Sequence, residues 1–131
     1  MRLALGIFVL ATLAAAAHAQ TTPLSITLDA PHALHPGDHA EVIALVHVED
    51  AARGPILITP SADGAAIEVV RGRLFRFDAE DPSADPLRFH VPVLARSVGT
   101  AVISVRIDGH VCEGPRCTPC DAEATARVDV R

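Results

Sequence analysis

Alternation of apolar and polar side chains, the period of a half-buried strand, recurs along most of the chain and is broken at short intervals by proline, glycine and aspartate. It is clearest from Ala122 to Val130, where Ala122, Ala124, Ala126, Val128 and Val130 alternate with Glu123, Thr125, Arg127 and Asp129. Leu87 to Val93 sets Leu87, Phe89, Val91 and Val93 on one face. Pro92 cannot donate to a ladder, so this strand is expected at a sheet edge. Thr100 to Ile107 and Leu24 to Leu28 alternate in the same way. Glu41 to Val48 is apolar on both faces apart from His47, the pattern of a central strand covered on each side.

Two further segments are less regular. Pro55 to Thr59 reads as a strand that ends in a turn at Pro60 to Gly64. Ala66 to Val70 and Arg73 to Phe77 are separated only by Arg71-Gly72 and form either one bent strand or a hairpin. Pro31 to Asp38 is a loop, and Asp78 to Pro86 is an acidic loop that lacks the ligand spacing of an EF-hand. No helical period covers a sheet face. The pattern predicts an all-β fold, an immunoglobulin-like antiparallel β-sandwich of about 7–9 strands.

The first residues follow a different rule. Met1-Arg2 and the apolar run from Leu3 to Ala17 are too short to span a bilayer, and Ala17-His18-Ala19 has the small-x-small form of a signal peptidase site. We expect residues 1–19 to be a signal peptide and residues 20–131 to be a single domain, periplasmic or secreted, of bacterial origin. Without Arg2 the chain carries 10 basic and 16 acidic residues, a formal charge of 10 − 16 = −6. That sign disfavours nucleic acid and anionic lipid as partners. No later segment is long and apolar enough to span a membrane, so the expected partner is a periplasmic or envelope protein.

Three cysteines lie close together in Asp108-Gly109-His110-Val111-Cys112-Glu113-Gly114-Pro115-Arg116-Cys117-Thr118-Pro119-Cys120, read as a hairpin-like connection between the last two strands. Any two of the thiols can meet. The Gly114-Pro115 turn folds the strand end back on itself and favours Cys112 with Cys117, leaving Cys120 spare. In an oxidising compartment the first role of such a bridge is structural, worth about 2–4 kcal/mol. Cys117-Thr118-Pro119-Cys120 is also a C-x-x-C, but a strand follows it, not the helix N-terminus that activates a thioredoxin thiol. His110, Cys112, Cys117 and Cys120 together supply the donors of a zinc or copper(I) site; otherwise no cofactor is expected. His32, His35 and His39 are interrupted by Pro36 and Gly37 and read as exposed loop residues.

The order Leu87 to Val93, a glycine-containing connector, Thr100 to Ile107, then Cys112, Cys117 and Pro119 before a closing strand resembles the C-terminal half of the amino-terminal periplasmic domain of the thiol:disulfide interchange proteins of the DsbD family. That resemblance implies an immunoglobulin-like sandwich that passes reducing equivalents between a membrane partner and periplasmic acceptors. It implies Cys112 and Cys117 as the redox pair, with thiol exchange as the activity.

Overall fold

The computed structural model describes residues 23–49, 52 and 54–131. The expected signal peptide and its cleavage site lie outside the described residues. Among the described residues there are nine strands: β1 (Leu24–Asp29), β2 (Ala33–Leu34), β3 (His39–Val48), β4 (Leu57–Asp63), β5 (Ile67–Val69), β6 (Leu74–Phe75), β7 (Leu87–Ala95), β8 (Gly99–Glu113) and β9 (Arg116–Val130). They form a four-stranded sheet in the order β1-β3-β7-β5 and a five-stranded sheet in the order β2-β9-β8-β4-β6. These strands pair antiparallel except at the short β2–β9 contact. The fold is the expected all-β sandwich. No described helix is long and apolar enough to cross a membrane.

Alternation becomes burial where the sheets face each other. Val42, Ala44 and Val46 of β3, Phe89, Val91 and Val93 of β7, and Ile103, Val105 and Ile107 of β8 are buried, with Phe89 the largest fully buried side chain. Apart from the smaller Ala44, each of these side chains contributes about 1.5–3 kcal/mol through the water it sheds. The opposite face of β3 is less covered than expected. Ile43 and Leu45 are half-buried, because no described strand packs on the outer side of the four-stranded sheet and their cross-strand neighbours are His90 and Arg88.

The prolines correct two boundaries. β4 runs through Pro60 to Asp63, where the sequence predicts a turn. β6 covers only Leu57 and Ile58, so from Thr59 onward β4 is an edge, where a proline is tolerated. β7, by contrast, is an interior strand. Pro92 lies just beyond the three residues that β5 covers, and its carbonyl accepts from the Val70 N–H at 3.0 Å as the β5 pairing ends. Ala66 to Phe77 is neither one bent strand nor a hairpin: β5 and β6 belong to different sheets, and the chain crosses between them at Val70 to Arg73.

Candidate functional site

β8 and β9 are each 15 residues long and pair without interruption from Gly99↔Val130 to Glu113↔Arg116. Asp108 to Asp121 is therefore not a loop. Asp108, Gly109 and Pro119 look like strand breakers in sequence, yet all three sit inside the ladder. Pro119 is accommodated because β2 reaches only Asp129 and Val130, which leaves this part of β9 at the sheet edge. The reversal itself takes two residues. Gly114 adopts φ +57 and precedes Pro115, the glycine-first arrangement of a type II′ hairpin turn, whose twist matches that of the flanking strands.

Cys112 and Cys117 face each other directly across this ladder and are joined by a disulfide, with Cα atoms 4.0 Å apart. Both residues are exposed. Their side chains share the outer face of the ribbon with Arg106, Asp108 and His110 on β8 and with Pro119 and Asp121 on β9, because alternate residues point the same way. Arg106 bridges the two acids on that face, 3.1 Å from Asp108 and 2.9 Å from Asp121.

Cys120 is the remaining free thiol among the described residues. It pairs with Gly109 on the opposite face, turned toward the body of the domain, where it is half-buried. Burial pushes its thiol pKa above the usual value, and Asp121 and Asp108 push it further in the same direction. The thiol is accordingly held protonated.

The four candidate donors for zinc or copper do not converge. Two sulfurs are tied to each other, His110 lies on the outer face, and Cys120 lies on the inner one. Among the described residues no group of three His, Cys, Asp or Glu side chains is arranged to hold a metal ion. His32 and His35 are exposed, and exposed His39 opens β3.

One cluster has no signal in the sequence. On the outer face of the four-stranded sheet, His90 of β7 places Nδ1 2.7 Å from Glu41 of β3 and Nε2 3.0 Å from Glu80 of the acidic loop. Hydrogen bonds to Glu80 and then Glu41 raise the His90 pKa. His47 Nδ1 lies 2.7 Å from Asp85 of the same loop. Residues 10 and 49 positions apart meet at His90, so local spacing could not have revealed it.

Neither a protein-family model nor a curated protein matches the sequence. Solved structures do. The C-terminal portion of native alpha-2-macroglobulin from Escherichia coli, beginning at domain MG7, superposes with a TM-score of 0.58 at 21% identity; the alignment covers 84% of this chain but 17% of that one. A chain from the complex of zinc 2-glycoprotein with prolactin inducible protein from human seminal plasma matches with a TM-score of 0.57 at 11% identity, over 82% of this chain and 93% of that one. AggA, the major subunit of aggregative adherence fimbriae type I from Escherichia coli, gives 0.51 at 12% identity, over 83% and 95%. These likenesses establish an immunoglobulin-like sandwich.

Proposed function

We propose that the chain is an extracytoplasmic immunoglobulin-like interaction module that contacts an envelope or secreted protein partner through its β8–β9 ribbon, with the Cys112–Cys117 disulfide as a structural staple. The observation that carries this reading is the two-stranded ribbon, in register up to Glu113↔Arg116 and pinned one pair from its turn. A two-stranded hairpin is marginal in water by itself, so a cross-strand bond near its tip holds that surface in one shape. Pre-organisation of this kind reduces the ordering cost of binding. Export fits the disulfide, which persists outside the reducing cytoplasm. The alpha-2-macroglobulin and fimbrial likenesses support the choice of a module over an enzyme.

A second reading, exchange through Cys112 and Cys117 as in the DsbD-type domains, is favoured by one observation: both cysteines are exposed. In that case a partner thiolate attacks one sulfur, the other leaves as a thiolate, and a second thiolate of the partner resolves the mixed disulfide, so that the Cys112–Cys117 pair ends reduced and the partner dithiol ends as a disulfide. An assay of the exported protein against a small disulfide substrate with a thiol reductant separates the two. The staple reading predicts no acceleration over an alkylated control and loss of partner binding in Cys112→Ser/Cys117→Ser; turnover abolished by Cys112→Ser would transfer the assignment to exchange.

A further inference from the structure

We infer that the acidic loop from Asp78 to Pro86 is a pH-governed strap, clasped to the outer face of the four-stranded sheet while His90 is an imidazolium and loosened at its Glu80 end once His90 is neutral. The loop leaves the five-stranded sheet after β6, enters the four-stranded sheet at β7, and meets the outer face of the latter at two histidines. Glu80 Oε2 lies 3.0 Å from His90 Nε2, and Asp85 Oδ1 lies 2.7 Å from His47 Nδ1. Between these anchors the chain is tied to itself. Asp81 Oδ1 accepts from the Ser83 N–H at 3.0 Å and from the Ser83 hydroxyl at 2.7 Å, and the Ala84 N–H donates to the Asp81 carbonyl at 3.1 Å. The segment therefore moves as a unit. Pro82, carried on it, lines an apolar cleft with Ile56, Phe75 and Phe77, so a looser strap is a looser wall of that cleft.

Donor counting sets the direction. An ionised carboxylate only accepts, and a neutral imidazole has one N–H. His90 has a carboxylate at each nitrogen, Glu41 at 2.7 Å and Glu80 at 3.0 Å, so only the imidazolium satisfies both. On losing a proton His90 keeps one partner. Glu41 is fixed in the β3–β7 ladder and makes the shorter contact, whereas Glu80 stands in the loop. The neutral ring keeps its Nδ1–H on Glu41, and its bare Nε2 repels the Glu80 carboxylate. His47 meets a single carboxylate and holds it as the Nδ1–H tautomer, so the Asp85 end stays in place as the hinge. The other charged groups on this face do not reverse the outcome. Arg88 lies 3.4 Å from Glu80 and stays charged, Glu68 and Arg96 pair with each other, and His39 shares the face of β3 that carries Glu41. Arg88, the Glu80 N–H on the Arg88 carbonyl at 2.9 Å and Arg76 Nε at 3.5 Å from the Pro82 carbonyl keep the loosened strap from detaching.

NMR of the exported protein from acid to mildly alkaline pH tests this through amide exchange and the imidazole nitrogen shifts. Comparing wild type with His90→Gln at each pH cancels the intrinsic pH dependence of exchange. Below the His90 titration midpoint the Glu80 amide is expected to exchange about two- to fivefold more slowly in wild type, and above it equally in both, a difference on the scale of an exposed ion pair. Glu41→Gln removes one of the two acceptors that favour the imidazolium and should move the loosening to lower pH. Above the midpoint neutral His90 is expected as the Nδ1–H tautomer. Equal Glu80 exchange in wild type and His90→Gln at every pH, a loosening that does not track the His90 midpoint, or a neutral ring protonated at Nε2 would each overturn the inference.

Discussion

Gly109 of β8 and Cys120 of β9 stand opposite each other, and the space that a side chain at position 109 would take already belongs to the core. A Cβ there would come within 3.2 Å of Leu24 Cδ1 and 3.3 Å of Ile56 Cγ2, with the Cys120 sulfur at 3.8 Å. Leu24 and Ile56 are both buried and have little room to withdraw. Gly109→Ala is expected to destabilise the domain by about 1–2 kcal/mol, because overpacking outweighs the gain in strand preference. Denaturant titration of the variant against wild type measures it.

Cys120 should be a slow nucleophile. Its pKa is raised by burial first and by Asp121 and Asp108 after that, so little thiolate exists near neutral pH. Alkylation by iodoacetamide at neutral pH is expected to be slower than for an unstructured cysteine peptide. Asp121→Asn removes one of the charges opposing the thiolate and should speed the reaction without unfolding the protein.

The His90 cluster predicts a pH dependence of defined sign. Glu80 and Glu41 raise the folded-state pKa of His90, so its contribution to stability is complete below the unfolded-state value of about 6.5 while the two carboxylates remain ionised. That contribution disappears as pH rises through the raised folded-state pKa. His90→Gln should therefore lower the melting temperature near pH 6 and converge on wild type at more alkaline pH. A melting-temperature series across that range, with His90 followed by NMR titration, checks both the direction and its source.

Loss of the disulfide should destabilise the fold modestly. Cys112 and Cys117 are 5 residues apart, and closing so short a loop restrains the unfolded chain by only about 2 kcal/mol. The core strands β3, β7 and β8 do not rely on it. Reduction, or Cys112→Ser/Cys117→Ser, is expected to leave a folded sandwich with faster amide exchange from Val111 to Thr118, readable by hydrogen exchange.

Much of the fold is legible in the sequence because one rule, burial of alternate side chains, governs most strands. Ala122 to Val130 and Leu87 to Val93 obey it and appear where expected. The failures share a cause. Pro60, Pro92, Asp108, Gly109 and Pro119 are breakers in any local reading, whereas the prolines are decided by where a neighbouring strand ends and Asp108 and Gly109 by the partners that β8 meets in the fold, properties that no short window contains. The same is true of β5 and β6, whose separation into two sheets depends on partners far along the chain. At the candidate site, the pairing of Cys112 with Cys117 follows from the Gly114-Pro115 turn. The isolation of Cys120 depends on ladder parity, which becomes visible only once β8 and β9 are known to be continuous through the cysteines.

The central claim, that Cys112–Cys117 is a staple in an interaction ribbon, is tested most directly by the reduction potential of that pair in the exported protein with Cys120 replaced by serine. A structural bridge predicts a value below about −300 mV, out of reach of cellular thiol pools. A value in the range of the thiol-exchange proteins, about −120 to −270 mV, would contradict the account and identify the ribbon tip as a redox centre.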